Sequence, residues 1–384
     1  DGRDATAIII NPAGMVGIGT ELDVAISLFS PKRQFSTTGA PSFTPLGTFE
    51  SSENLFAIPN IAYVREIDAT SSWGVSLAAN GGMNTNYRNV TNPACVSPPL
   101  PATNGVFCGG TTGISLTQAL ISVGYAKQVG NFKIGVAPIF GFQLFEAVGL
   151  LAFAAPTTSI NGAALSNVGT SHSTGFGGKI GIEWKVLDNV RIGGVYQTKI
   201  KMSEFDEYAG LFADGGDFDI PSNFQVGVSI DVMPNFTING DFRQIRYTDV
   251  GAVSNSTRTP ALFGSIGGPG FGWRDIDIFK IGAEYRTDGP WTLRAGYSHN
   301  QQPIGSDHVT LNILAPGVVT DHITAGGEYV INDNNSIEFG FMFAPNESVT
   351  GIEVTPPAPN PNHFITIEMK QYEATVGWKW KYGN

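Results

Sequence analysis

Over most of this chain, apolar side chains recur at every second residue. In the last segment Tyr372, Ala374, Val376, Trp378, Trp380 and Tyr382 share one parity, and Glu373, Thr375, Gly377, Lys379 and Lys381 share the other. A helix would mix the two sets, whereas a strand places them on opposite faces. The same division separates Ile180, Ile182 and Trp184 from Lys179 and Glu183. It separates Phe224, Val226, Val228 and Ile230 from Gln225, Ser229 and Asp231, and Ile337, Phe339, Phe341 and Phe343 from Glu338 and Gly340. Ile192, Tyr196 and Ile200 also fall on one face, opposite Arg191, Gln197 and Lys199.

Fourteen strands follow from this pattern, at 21–30, 54–66, 72–87, 115–128, 132–145, 173–186, 190–202, 221–232, 236–248, 275–286, 291–300, 319–331, 335–345 and 367–382. Six links between them are short and built from Gly, Pro, Asn and Asp, as in "QVGN" at 128–131 and "TDGP" at 287–290. They alternate strictly with long links. A β-sandwich or propeller would also show the period of two. Alternating short and long links, with aromatic residues crowding the strand ends, instead match an outer-membrane barrel, with short turns on the periplasmic side and long loops outside. An even strand count returns both ends of the wall to the periplasm. In lipid only a closed ring satisfies every backbone group of a sheet. The expected fold is therefore all-β, a 14-stranded antiparallel transmembrane barrel. Its apolar parity faces lipid and its charged parity faces the lumen.

Composition narrows the choice. Charged residues are 14% and apolar residues 42%, a balance opposite to that of disordered chains. With 22 basic and 33 acidic residues the net charge is −11, which disfavours a nucleic-acid partner. The most apolar stretch, 134–156, contains Gln143, Glu146 and two prolines and alternates in its first half, so it reads as a strand and not as a membrane helix. Cys95 and Cys108 lie 13 apart in a Pro/Gly-rich stretch. They read as a disulfide in an oxidising compartment, with two free thiols as the alternative. The five histidines are scattered without metal spacing, and adjacent His172 and Ser173 would point to opposite faces of a strand. No cofactor, metal or catalytic residue is expected.

Residues 5–20, "ATAIIINPAGMVGIGT", precede the first strand. Pro12 suits no wall ladder, and the apolar character favours a place inside the barrel, as a plug. "NPAGM" here resembles the hatch signature of the FadL family, outer-membrane transporters of long-chain fatty acids and aromatic hydrocarbons. "DIPSNFQVGVSIDVMPNFTINGDFRQIRY" at 219–247, "WRDIDIFKIGAEYRTDGPWTLRAGYSHNQQPI" at 273–304 and "DHITAGGEYVINDNNSIEFGFMF" at 321–343 are similar to that family's strands eight to thirteen, in the same order. The resemblance implies a hatch at 1–20 held by Asn11, Pro12, Ala13 and Gly14, and a barrel at 21–384. It implies a monomer in the outer membrane of a Gram-negative bacterium, in contact with membrane lipid and lipopolysaccharide, passing hydrophobic small molecules (fatty acid, aromatic hydrocarbon or a detergent mimic) without energy input. Family members carry a further Gly/Ala/Ser-rich stretch before this motif. Only ten residues precede Asn11 here, so that part is either processed, unrecorded or replaced by a smaller plug.

Two further sites match that transport route. Asn80, Gly81, Gly82 and Met83 interrupt the third strand, where a kink would open a lateral window like the family's; easing of barrel curvature is the plainer reading. Val148, Leu150, Leu151 and Phe153 open the loop at 146–172, as an exposed entry groove or as that loop's own small core. The charged lumen residues are mostly paired filler, one or two of which could bind a carboxylate. A general aqueous porin and a barrel lipid hydrolase are the alternatives.

Overall fold

The computed structural model describes residues 2–96, 104–355 and 358–382. Fourteen strands build the wall. They are β1 (Thr20–Gly39), β2 (Phe56–Asp68), β3 (Ser71–Tyr87), β4 (Thr112–Val129), β5 (Phe132–Val148), β6 (Ser171–Leu187) and β7 (Val190–Gln197). Then come β8 (Asn223–Met233), β9 (Phe236–Ile245), β10 (Ile276–Arg286), β11 (Trp291–Asn300), β12 (Asp321–Asn332), β13 (Asn335–Thr355) and β14 (Ala358–Tyr382). Each pairs antiparallel with its sequence neighbours. β14 returns to β1, from Thr20↔Tyr382 up to Gly39↔His363, and closes the ring. The six short links, Thr20 and Tyr382 share one end, the periplasmic one by the barrel rule. No helix among the described residues is long and apolar enough to cross a membrane.

The two parities have the two environments the alternation requires. Val24, Ile26 and Leu28 stand exposed on the outer face, while Glu21, Asp23 and Ser27 between them are buried toward the lumen. The outer face is bare because lipid covers it. At the turn end it carries a belt of paired rings: Trp380 over Tyr382 at 4.5 Å, Trp291 with Tyr329 at 4.7 Å and Phe132 with Trp184 at 5.5 Å. Such rings place an apolar body in the bilayer and a polar edge at its surface.

Inside, charges neutralise one another across neighbouring strands. Arg294 on β11 reaches Glu284 on β10 at 3.0 Å, Glu328 on β12 at 3.2 Å and Glu338 on β13 at 3.0 Å. Lys379 on β14 reaches Glu338 at 2.9 Å and Glu328 at 3.3 Å. One guanidinium fork and one ammonium thus knit five consecutive strands.

The largest apolar core lies above the wall, in the extracellular loops. Phe145, Phe205, Tyr208 and Phe212 pack there with Phe107, Phe153 and Phe263. A disulfide joins Cys95 and Cys108 within this cap. Glu353 on β13, fully buried, accepts from the Thr44 backbone N–H at 2.7 Å and from the Thr44 hydroxyl at 2.6 Å, and His363 on β14 meets that hydroxyl at 2.9 Å. This pins the loop after β1 to the last hairpin.

Three strand boundaries differ from expectation. β1 runs on past residue 30 to Gly39, with Pro31 inside it opposite Gln371. The link at 346–366 is no loop: β13 continues to Thr355 and β14 begins at Ala358, and Pro345 and Asn346 sit in a bulge. The strand expected at 190–202 ends at Gln197. Thr198 takes its side chain to the Gly178 N–H, the chain turns inward, and Ile200 is fully buried beside Leu120 and Ile139 instead of facing lipid with Ile192 and Tyr196.

Arg294→Met should leave Glu284 to Arg3 and Arg286, and Glu328 and Glu338 to share Lys379 alone. We expect a loss of about 2 kcal/mol or more in urea unfolding from vesicles, below the ~3–5 of a fully buried pair because a third of the side chain is exposed. An unchanged midpoint would show that the lumen charges do not brace the wall.

Candidate functional site

The N-terminal segment spans the bore. Ala7–Ile10 form one helical turn (α1), and Pro12–Met15 a 3-10 turn. Asn11 stands between them. Its Oδ1 accepts from the Ala13 N–H at 3.1 Å, capping the second turn, and its Nδ2 donates to the Ile182 carbonyl on β6 at 3.1 Å and the Gly194 carbonyl on β7 at 3.4 Å. Ala13 and Met15 are fully buried, and Pro12 and Gly14 are buried.

The wall is hollowed where this segment lies. A Cβ at Gly181 would sit 1.9 Å from Asn11 Oδ1, at Gly135 2.4 Å from the Pro12–Ala13 backbone, and at Gly124 2.9 Å from the Met15 methyl. These glycines, on β6, β5 and β4, admit the segment because no other residue leaves that space. From the other side of the ring, Glu21 on β1 accepts from the Ala5 N–H at 2.7 Å, Glu284 on β10 pairs with Arg3 at 2.8 Å, and Lys379 on β14 lies 3.5 Å from Asp4. Lys179 on β6 donates to the Ile9 carbonyl.

Beside the segment is a cavity of about 650 Å³. Lys179, Arg243 and Lys280 line it, and none of the three forms an ion pair among the described residues. Arg243 Nε is buried without an acceptor. Asp241, opposite Lys280 in the β9–β10 register, lines the cavity too, so the charge least answered there is that of Lys179 and Arg243.

The second cavity, of about 690 Å³, lies at a break in the wall. β2 pairs with β1 as far as Phe56↔Phe29, but with β3 only as far as Asn60↔Ala78. β3 meanwhile stays on β4 up to Tyr87↔Thr112. Above Ala78, β2 and β3 share no ladder. The split starts at a bulge: the β3–β4 register slips between Ala79 and Gly81, leaving Asn80 over. Gly81 there has φ 140°, a conformation side chains resist, and a Cβ at Gly82 would meet the Leu116 carbonyl at 2.6 Å. Asn80 turns its amide to Gln118 at 3.0 Å and lines both cavities. Phe29, Phe56, Leu77, Met83 and Leu314 give the second one apolar walls.

Sequence reasoning did not reach two groups here. Arg33 of β1, 6% exposed, crosses the top of the split, donating to the Asn84 and Glu53 carbonyls with its guanidinium over the Phe56 ring. The loop at 301–320 descends against β3. Thr85 Oγ1 donates to the Leu314 carbonyl at 2.7 Å and Tyr87 Oη to that of Ile313 at 3.0 Å, so Leu314–Gly317 back the opening. The burial-prone run "LNILAPGVV" at 311–319 was the signal available. In the loop at 146–172, Leu150 and Phe153 are buried, and Val148 and Leu151 half-buried. Phe153 contacts Phe107 at 5.2 Å and Phe263 at 5.5 Å. Leu150 and Phe153 belong to the cap core, where rings of neighbouring loops cover Phe153, while Val148 and Leu151 stay half-buried outside it.

The family model described as outer membrane protein transport protein (OMPP1/FadL/TodX) matches residues 2–355. A long-chain fatty acid transport protein of Salmonella typhi is 22% identical over 359 residues, spanning 85% of this chain and 76% of that protein. Its counterpart in Escherichia coli K12 is 21% identical over 334 residues, 76% of this chain and 71% of the other. Among solved structures, the Pseudomonas putida toluene transporter TodX superposes with a TM-score of 0.70 at 18% identity, over 99% of this chain and 94% of that one. A Pseudomonas aeruginosa FadL homologue gives 0.68 at 15% identity, over 100% and 95%. At these identities the two structures speak to the fold.

Replacing Gly135 and Gly181 together by Val should expel the NPAGM turn from its recess. We expect larger single-channel conductance in planar bilayers with the barrel still folded. Conductance equal to the parent protein's would mean the segment does not obstruct the bore.

Proposed function

The chain belongs to the outer membrane protein transport family (OMPP1/FadL/TodX), and on that premise we propose that it takes up hydrophobic small molecules and releases them sideways into the bilayer between β2 and β3. The observation that carries this reading is the unpaired stretch above Asn60↔Ala78, with its apolar-walled cavity. An apolar solute gains about 25 cal/mol for each Å² withdrawn from water. A wet channel gives it nothing. A greasy slot opening on lipid gives it a downhill path that never enters the periplasm.

Each part has a task on this path. The segment at 1–20, held by Asn11, Pro12, Ala13 and Gly14, serves as the hatch that keeps water and ions from crossing. Asn80 stands at the threshold between the inner cavity and the slot. Gly81 and Gly82 bend β3 away from β2. Arg33 satisfies the carbonyls of Asn84 and Glu53 beside the missing ladder, and the loop at 301–320, held by Thr85 and Tyr87, backs the opening, so it exists without collapse of the wall. A general aqueous porin fits this bore poorly, since the segment crosses it from β10 and β14 to β6 and β7.

The cationic trio selects within the ligand class. Lys179 and Arg243 face the inner cavity without an ion pair, and Lys280 stands there opposite Asp241, an excess of cations that suits an amphipath with an acidic head, such as a long-chain fatty acid, over a neutral aromatic hydrocarbon.

Asn80→Trp should plug the threshold. Uptake of a fluorescent fatty acid by cells should fall to that of a strain lacking the protein, with the barrel's heat-modifiable migration intact; normal uptake would remove the lateral route. Arg243→Gln with Lys280→Gln should weaken binding of the same fatty acid about tenfold, the worth of one charge-assisted contact, and leave a neutral aromatic probe unaffected. Equal effects on both probes would rule out the acid-head assignment.

A further inference from the structure

The outer wall carries a feature that transport does not use. On the lipid-facing parity of β1 and β14, Lys32 lies directly opposite Lys370. Both are exposed, and neither enters an ion pair among the described residues. Like charges facing each other across a ladder repel at this separation. The nearest acids on the same face, Glu368 and Glu50, stand one row higher on either side of Gln34, whose amide donates to Glu368 at 2.8 Å. Among the described residues neither acid is in ion-pair contact with the two lysines.

Below it the wall is creased. Two residue pairs down the ladder, on the same face, Ser30 stands opposite Tyr372, and the row continues through Phe343 to Ile323. The following row holds Leu28, Ala374, Phe341 and Ala325. The two alanines form a low floor between taller neighbours, and the crevice they leave on the outside of β12, β13, β14 and β1 measures about 430 Å³. Its rims are Ile323, Phe343 and Tyr372, the last two in ring contact at 5.3 Å.

Depth places this feature in one leaflet. Tyr372 stands ten residues above Tyr382 of the periplasmic aromatic belt. At ~3.3 Å per residue and a tilt of ~40° that is about 25 Å, the height of the apolar band of such barrels. The crevice therefore lies in the outer leaflet, and the lysines at its surface, where headgroups begin.

We propose that Lys32, Lys370 and the crevice beneath them bind one outer-leaflet lipid, its phosphorylated headgroup between the two ammonium groups and an acyl chain lying over Ala325 and Ala374. Charge complementarity fixes the sign of the head, and position within the bilayer fixes the rest: directly below a headgroup, the occupant of an apolar groove is that molecule's own tail. The site is independent of whatever passes through the lumen.

The purified detergent-solubilised protein tests this by native mass spectrometry, with a bis-phosphorylated lipid A, the same lipid without phosphates, and inorganic phosphate as probes. The phosphorylated lipid should be retained in preference to the dephosphorylated one. Lys32→Gln with Lys370→Gln should cost about tenfold in retention and erase that preference. Ala325→Phe, which fills the crevice and leaves both charges, should reduce retention by itself. Equal retention of the two lipids, unchanged retention in either variant, or displacement of the lipid by millimolar inorganic phosphate would each overturn the assignment. Because all three positions face outward, heat-modifiable migration verifies that the variants are folded.

Discussion

A sheet placed in hydrocarbon has no water to turn to, and the rest of this molecule depends on that constraint. Every strand must find two neighbours, so the last must return to the first, and β14 does so along the whole length of β1. The closed ring then allots the side chains. One parity must be greasy and the other is free to be polar, and the lumen fills with charges that answer one another through Arg294 and Lys379. Against this background the parting of β2 from β3 stands out. It is a stretch of wall where the rule is suspended; Arg33 meets part of the resulting deficit by tying the carbonyls of Asn84 and Glu53, and a loop anchored on the side chains of Thr85 and Tyr87 backs the gap from within.

The wall was readable from the chain because its cause is local. A period of two needs no knowledge of distant residues, and turns made of Gly, Asn and Pro announce themselves. Strand ends above the membrane were not readable. There the outer face meets water while the inner one packs Phe35, Ile365 and Ile367 into the cap, so the alternation inverts, and prolines such as Pro31 and Pro345 sit inside strands or bulges that a ladder rule would exclude. Ile200 shows the limit from the other direction. It has the right parity for lipid, yet the inward turn after Gln197 carries it to Leu120 and Ile139.

The site was readable only in part. The turn at Asn11–Met15 and the break at Asn80–Gly82 carry residue types that stand out in a strand-rich chain. Nothing in the sequence shows that Gly124, Gly135 and Gly181 form a single recess, since they become neighbours only once β4, β5 and β6 pair. Arg33 looks like one more lumen charge until the gap it crosses is seen. The apolar run at Leu150–Phe153 misleads for a related reason: exposure depends on which other loops fold over it, and Phe107 and Phe263 come from far along the chain.

The strapping of Asp4 to Lys379 ties the stopper to the strand that closes the ring, with Arg3 on Glu284 beside it. During assembly the stopper cannot acquire its full set of partners until the final strand arrives, and the final strand cannot neutralise its buried ammonium fully until the stopper is in place. Closure of the cylinder and seating of its contents are thus coupled through the same buried charges.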